Sequence, residues 1–378
     1  MKNVLTLICV AVLCVTLALG LWPFHAPNNA VVWLINQDGL HFGHYGSAIS
    51  SGTFQIMGPD GSSEVSLEIW FRPKRIWESG TFLACYNRRN LFQFSLRQSE
   101  TTVLLKARAD DRHRTEAAVL SVVGALNRAN SPVFLSITAG RQGTRVYLNG
   151  RLAKADPGFP LSAQDLSGYL VLGDSPGQSD SWGGEIRSLA IYNYALTPEQ
   201  AFDHYSTSVH TGRPETTGGE QIVALYLFQE RSGRVVRNQV RPGVDLYIPK
   251  KYQVMEKIAL EPFWTEFEMT RSYWSAAIKN VVGFIPLGFW FYAYLTVLVS
   301  RKRAALLTVC LGTAVSLTIE ILQAFLPTRD SGTTDIITNT MGTWAGVALY
   351  NVSTPILLRL FAWWPFPPPP SKRPKAAV

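Results

Sequence analysis

The apolar positions of this chain follow two patterns that divide it into three regions. Residues 4–22 form an uncharged apolar run behind Lys2, long enough to cross about 30 Å of hydrocarbon as a helix. Residues 28–250 instead alternate apolar and polar positions in short runs separated by Gly, Asn, Asp and Ser, which predicts β-strands. Three more apolar runs predict further membrane spans, at 276–300, 304–326 and 335–352. We therefore expect an all-β domain inserted into a four-span helical bundle.

The β region has the strand and turn spacing of a two-sheet sandwich. The run VYLNGRL predicts a hairpin, because Asn149 and Gly150 suit the left-handed positions of a tight turn. A short helix is expected from Pro198 to Tyr205, with Thr197 as its N-cap and proline at its first position.

Charge supports a membrane protein rather than a nucleic-acid-binding one. The chain is 47% hydrophobic and only 16% charged, with a net charge of +8. Its basic residues form no single stripe, and several flank the apolar runs, where the positive-inside rule places them on the cytoplasmic side. Those residues are Lys2, Arg301, Lys302, Arg303, Lys372, Arg373 and Lys375. We expect both termini in the cytoplasm and the β domain outside it.

The predicted organisation has five parts. They are an N-terminal anchor (1–27), a sandwich (28–250), a juxtamembrane connector (251–275), a helical bundle (276–353) and a cytoplasmic tail (354–378). A cleaved signal peptide is the alternative for the first part. Of the four cysteines, only Cys85 lies in the sandwich, so no disulfide can form within that domain.

Three runs of the β region resemble the laminin-G or concanavalin-A-like jelly-roll family. They are SLEIWFRP, SITAGRQGTRVYLNGRL and GGEIRSLAIYNYALTPEQAFDHY, and the resemblance covers about residues 35–250. It implies two packed antiparallel sheets that bind glycans or proteins. Hydrolytic relatives need paired carboxylates on one strand, whereas Glu68 and Glu185 each stand alone in the sequence. A binding or structural module is therefore expected.

The loop GDSPGQSDSWGG holds the ligand candidates of this region. Trp182 could stack on a sugar ring or pack in the core. Asp174 and Asp180 could bind calcium, which the family resemblance allows, or could be ordinary turn residues. His41 and His44 lack a third ligand in the sequence, so no metal is assigned.

The later apolar runs carry an ordered motif that resembles the VanZ-like membrane family over about residues 276–352. The motif reads NVVGFIPLGF, then E-x-x-Q, then R-D-x-x-x-x-D-x-x-x-N-x-x-G-x-x-x-G. Its residues are Asn280, Gly283, Phe284, Pro286, Gly288, Glu320, Gln323, Arg329, Asp330, Asp335, Asn339, Gly342 and Gly346. The resemblance implies a bacterial source. The family takes its name from a member linked to teicoplanin resistance.

Seven polar residues of this motif are expected at one depth, toward the outer face of the bundle. They are Asn280, Glu320, Gln323, Arg329, Asp330, Asp335 and Asn339. Intramembrane ionisable residues mark functional sites by default, so we predict a polar pocket for a membrane lipid or lipid-linked precursor. Alternatively, these side chains only hydrogen-bond the helices together, and Asp335 caps its own helix.

The glycines and proline of the motif are expected to shape the helices. Gly283 and Pro286 should break the second span. Gly288, Gly342 and Gly346 should allow close helix packing.

The chemistry favours a non-enzymatic cell-envelope protein. No P-loop, dinucleotide fingerprint or converging metal-ligand set occurs in the sequence, and no cofactor is expected. Such a protein would bind envelope glycan or a lipid-linked precursor and modulate teicoplanin sensitivity. The alternatives are a membrane enzyme that uses Glu320 and Asp335, and an accessory factor for polysaccharide export whose sandwich binds a protein.

Overall fold

The computed structural model describes residues 2–57, 62–108, 117–127, 131–212, 221–240, 243–267 and 271–362. Its contacts divide the chain into two units. The sandwich unit is Pro23–Ile258 with Phe325–Asp330, and the helical unit is Met1–Trp22, Ala259–Ala324 and the chain from Ser331. The basic tail residues Lys372, Arg373 and Lys375 lie outside the described residues.

The described part of the sandwich unit contains sixteen strands. They are β1 Val31–Trp33, β2 Leu40–Phe42, β3 Ala48–Ser50, β4 Val65–Pro73, β5 Ser79–Asn87, β6 Asn90–Ser99, β7 Thr102–Arg108, β8 Ala117–Val122, β9 Val133–Gly140, β10 Gly143–Leu148, β11 Arg151–Asp156, β12 Tyr169–Leu172, β13 Gly184–Tyr192, β14 Ile222–Tyr226, β15 Val235–Val236 and β16 Leu246–Tyr247.

These strands form two antiparallel sheets. The first has the order β1-β2-β13-β4-β9-β10-β11, and β14 also pairs with β13. The second has the order β15-β16-β3-β12-β5-β6-β7-β8. The predicted all-β sandwich is therefore confirmed.

Alternation along the strands builds the core between the sheets. In β4, Leu67, Ile69 and Phe71 are fully buried in the main apolar cluster, which also includes Leu83 and Leu96 from the second sheet. Burial of each such side chain contributes about 1.5–3 kcal/mol. The same period of two places Ser66, Glu68 and Trp70 on the opposite face of β4.

The two local predictions in the sandwich are confirmed. Asn149 and Gly150 have φ values of 50° and 72°, and they join β10 to β11 in antiparallel register. Helix α2 starts at Pro198 behind a Thr197 capping box with Gln200. It extends to Thr211 rather than ending at Tyr205, and its C-cap is the left-handed Gly212, whose N–H donates to the Ser208 carbonyl.

The helical unit contains α1 Lys2–Leu21, α3 Phe263–Glu266, α4 Arg271–Leu295, α5 Arg301–Gln323 and α6 Thr333–Ala362. Three helices of the described chain are long and apolar enough to cross a membrane, at Lys2–Leu21, Tyr273–Leu295 and Arg301–Gln323. Helix α6 is not among them, and its first two turns carry threonines, Asp335 and Asn339. The predicted count of four spans is thus not supported by length and apolarity.

The predicted break in the second span is wrong. Helix α4 continues without interruption through Gly283 and Pro286. A proline inside a helix removes one backbone hydrogen bond, and in α4 the flanking turns keep the helix intact. A Cβ on Gly283 would meet no atom within 4 Å, so this glycine opens no close approach either.

Glycines set the packing of α4 against α6. A Cβ on Gly342 would overlap the carbonyl oxygen of Val281, and one on Gly346 would overlap that of Ile285. Gly288 lies in the same way against the backbone of Thr343. The contact moves forward by four residues on both helices, from Val281 to Ile285 on α4 and from Gly342 to Gly346 on α6. Helices α4 and α6 therefore run parallel.

Candidate functional site

Glu320 is the most buried carboxylate of the predicted polar cluster. It lies near the C-terminal end of α5 and is 1% exposed. Its Oε2 accepts a hydrogen bond from the Gly332 N–H at 2.9 Å, and its backbone carbonyl accepts one from Ser331 Oγ at 2.7 Å. Glu320 therefore fixes the turn that leads into α6.

A second carboxylate, which the sequence analysis did not single out, supports the same turn. Glu266 ends α3, and its Oε2 accepts a hydrogen bond from the Thr334 N–H at 3.0 Å. Thr334 lies in the first turn of α6, where N–H groups have no partner within the helix. A carboxylate there also complements the helix dipole. Asp335 lies in the same turn and is half-buried.

Gly332 lies between these two carboxylates. Its N–H bonds to Glu320, and a Cβ at this position would overlap the carboxylate of Glu266. The neighbouring backbone is tied to the segment before α3, because Glu261 N–H donates to the Ser331 carbonyl at 2.9 Å and Thr333 N–H donates to the Glu261 carbonyl at 2.8 Å. The entrance to α6 is thus held by several hydrogen bonds, and Ser331, Gly332 and Thr334 are buried there.

Gln323 connects α5 to α1. It is 7% exposed, and its Nε2 donates to the Gly20 carbonyl at 2.8 Å. A Cβ on Gly20 would lie 3.0 Å from Ile319. Deeper in the unit, Cys9 Sγ donates to the Trp290 carbonyl at 3.4 Å. Helix α1 therefore packs against both α4 and α5.

Asn339 connects α6 to α5. It is 4% exposed, and its Nδ2 donates to Ser316 Oγ at 2.9 Å. One turn further, Thr340 and Thr313 share a hydrogen bond of 3.0 Å. The Asn339 Oδ1 is buried and has no hydrogen-bond partner among the described residues. Asn280 lies on α4 and is half-buried.

Arg329 and Asp330 belong to the sandwich unit. There the Ser179 N–H donates to Asp330 Oδ1 at 2.9 Å. Lys257 Nζ donates to the carbonyls of Leu326 and Arg329. The predicted seven-residue cluster is therefore divided, with five residues in the helical unit and two in the sandwich unit.

Trp182 is a core residue, so its alternative role as a sugar platform is wrong. It is 1% exposed and packs against Phe71 and Phe82 at centroid distances of 6.1 and 5.6 Å. Its Nε1 donates to Gln98 Oε1 at 2.7 Å. The ring cannot be reached from solvent.

Asp174 and Asp180 bind protein donors in the structure. Asp174 accepts hydrogen bonds from the Ser175 and Asp180 N–H groups at 2.9 and 2.8 Å and from the Tyr252 hydroxyl. Burial raises the pKa of Asp174 to about 7. Asp180 forms an ion pair with Arg97 at 2.9 Å. Within the described ranges, no three His, Cys, Asp or Glu side chains are grouped so that they could hold a metal.

Glu68 is not isolated, although the sequence suggested that it was. Its carboxylate accepts hydrogen bonds from Ser136 Oγ at 2.8 Å and the Tyr192 hydroxyl at 3.0 Å. His204 Nδ1 of α2 lies 2.9 Å from Glu68 Oε2. All four residues are at most 4% exposed. This network fastens α2 to the outer face of the first sheet, and no ligand can reach it.

Two family descriptions match the chain. Residues 222–357 match VanZ/LLP1, and residues 45–201 match the concanavalin A-like lectin/glucanases superfamily. The chain joins a VanZ-like domain to a concanavalin A-like domain. The VanZ-like match starts well before residue 276, so it includes β14, β15 and β16, which complete the two sheets.

Several solved structures resemble the chain. A SAP-like pentraxin from Limulus polyphemus is 15% identical and has a TM-score of 0.37. The match covers 58% of this chain and 93% of the pentraxin. The CBM40 of a Ruminococcus gnavus sialidase, bound to sialyllactose, is 14% identical, with a TM-score of 0.33, 44% of this chain and 95% of that chain covered. The receptor binding domain of botulinum neurotoxin D is 14% identical, with a TM-score of 0.36 and 49% of this chain covered, and the match spans 47% of its length. No curated protein matches significantly.

Proposed function

We propose that this chain is a bacterial envelope membrane protein that displays a glycan-binding sandwich from a helical membrane unit and catalyses no reaction. One observation carries the proposal. A single chain joins a concanavalin A-like domain to a VanZ-like domain with three helices of membrane-crossing length and apolarity.

The contacts of α1 support its retention as a membrane helix. Gln323 and Ile319 hold its last turn, and Trp290 contacts Cys9 near its middle. A cleaved leader would remove all three contacts from the helical unit. We therefore propose that α1 is an uncleaved span.

The direction of the helices supports α6 as a fourth span. Helix α6 runs parallel to α4 and antiparallel to α5, since Ser316 contacts Asn339 while the earlier Gly312 contacts the later Thr343. Its polar side chains face α5 in these contacts rather than lipid, which is how polar groups are tolerated at membrane depth. The basic residues 301–303 between α4 and α5 and the positive-inside rule support our proposal that the sandwich lies outside and that both termini lie in the cytoplasm.

The hydrogen bond of Glu320 favours a structural role over a catalytic one. Its carboxylate binds a backbone N–H of the same unit and is 1% exposed. We therefore assign ligand contact to the sandwich. For the helical unit, the VanZ-like match supports two expected roles. They are binding of a lipid-linked precursor and modulation of teicoplanin sensitivity.

The test uses the full chain in lipid nanodiscs. Binding to purified bacterial cell-wall sacculi should exceed that of empty nanodiscs and should be competed by free soluble glycan. In parallel, teicoplanin and vancomycin susceptibility should be measured in a sensitive Gram-positive host that expresses wild type or Glu320→Gln at equal membrane levels. Absence of sacculus binding would refute the glycan function. If wild type protects the host against teicoplanin and a folded Glu320→Gln protein does not, the result would instead favour the membrane-enzyme alternative.

A further inference from the structure

The edge of the second sheet presents an exposed pair of side chains. Val235 on β15 pairs directly with Tyr247 on β16 in antiparallel register, so both side chains lie on one face. They are 43% and 42% exposed. An exposed tyrosine ring on a sheet offers both an apolar face and a hydroxyl group.

A cavity of about 400 Å³ has both residues of this pair in its lining. Ile49 and Met255 add apolar groups to its lining, and Ser51, Asp245 and Gln253 add polar groups. Asp245 is held in place by the Asn238 N–H, which donates to its Oδ1 at 2.9 Å. The volume falls in the usual range for small-molecule sites, about 300–1,000 Å³.

A second cavity of about 590 Å³ also has Val235 in its lining, so the two cavities are neighbours. Its lining is dominated by planar polar side chains, namely Gln229, Glu230, Arg234, Arg237 and Gln239. Amide, carboxylate and guanidinium groups each present two hydrogen-bonding atoms in a plane. Such groups can bind neighbouring hydroxyls of a sugar ring in pairs.

The charges of the two cavities cancel. Asp245 and Glu230 carry two negative charges, and Arg234 and Arg237 carry two positive charges. Neither arginine forms an ion pair within the described part of the chain. A balanced lining gives no net attraction to a polyanion or a polycation, whereas its hydrogen-bonding groups suit an uncharged polyhydroxylated ligand.

We propose that these two cavities form one site for a neutral oligosaccharide, with one sugar ring stacked on Tyr247 and the next bound by Arg234 and Arg237 beyond Val235. This proposal rests on the proposed glycan-binding function and names the surface and the ligand class that would serve it.

The test measures binding of the full chain in nanodiscs by calorimetry. The neutral probes are maltotetraose, cellotetraose and tetra-N-acetylchitotetraose, and the charged probe is tetragalacturonate. At least one neutral probe should bind, and more tightly than tetragalacturonate. Tyr247→Ala should weaken that binding at least about tenfold, which corresponds to about 1.4 kcal/mol. Paired Arg234→Gln and Arg237→Gln changes should weaken it as well.

Matched variants on other surfaces provide the control. Trp77→Ala removes an aromatic ring that is 66% exposed, and Arg151→Gln with Lys154→Gln removes two exposed cations from β11. All control variants should bind as wild type. Sacculus binding that survives Tyr247→Ala and the arginine changes would overturn this site but keep the glycan function. Preference for tetragalacturonate, or no binding of any neutral probe, would also overturn it.

Discussion

Glu320 Oε2 accepts a hydrogen bond from the buried N–H of Gly332 at 2.9 Å. We expect Glu320→Gln to keep most of the stability, because the amide oxygen can accept the same bond. Glu320→Ala leaves a buried N–H without an acceptor and should cost about 1–3 kcal/mol. Thermal unfolding of the full chain in one detergent would compare the two variants. Equal losses in both would show that the charge, and not the acceptor, stabilises this turn.

Two helical glycines should respond in opposite ways to a methyl group. Gly342→Ala forces a Cβ into the Val281 carbonyl oxygen, and overpacking of this kind costs about 1–3 kcal/mol. Gly283→Ala meets no atom within 4 Å and should stabilise α4 by about 0.5–1 kcal/mol, because alanine loses less backbone freedom. Unfolding midpoints measured side by side would test this. A stabilising Gly342→Ala would contradict the close packing of α4 and α6.

Asp174 should make the sandwich less stable at alkaline pH. Burial raises its pKa to about 7, above the value of about 3.9 in an unfolded chain. Its contribution is therefore fully present below about pH 4 and is lost as the pH rises through about 7. Wild type should unfold at a lower temperature at pH 8 than at pH 5.5. Asp174→Asn should reduce that difference, and Asp38→Asn, on an exposed ion pair, should leave it unchanged.

Trp182→Ala should unfold or strongly destabilise the sandwich, by about 3–5 kcal/mol. The side chain fills the core between Phe71 and Phe82. Trp77→Ala, at a ring that is 66% exposed, should change stability by less than about 0.5 kcal/mol. Near-ultraviolet circular dichroism and denaturant unfolding would separate the two. A folded Trp182→Ala protein of normal stability would argue against the core position.

Short-range sequence patterns were sufficient to predict the turns and helix starts of the sandwich. Asn149-Gly150 and the Thr197 cap depend on neighbouring residues only, so the turn and the start of α2 could be predicted. The period-two alternation also indicated the sandwich. The helix break predicted from Pro286 was wrong, because the effect of a proline on a helix depends on whether the flanking turns are held by packing.

The interior contacts could not be predicted in this way, because their partners are far apart in the chain. Trp182 stands in a glycine-rich stretch that looks like a surface loop, yet strands from both sheets bury it. Glu68 and His204 are 136 residues apart. Glu266 lies in a stretch interpreted only as a connector, and the Thr334 N–H that it binds is 68 residues away.

The place of α1 in the helical unit has a consequence for biosynthesis. Its hydrogen bonds join residues that are far apart in the chain. Cys9 and Trp290 are separated by 281 positions, and Gly20 and Gln323 by 303 positions. At roughly 5–20 residues per second of translation, α1 leaves the ribosome about 15–60 s before α5 exists. During that interval it must persist without its final neighbours while the whole sandwich is made. Maturation of the helical unit is therefore a late event, and a mutation that delays it would expose α1 to quality-control proteases first.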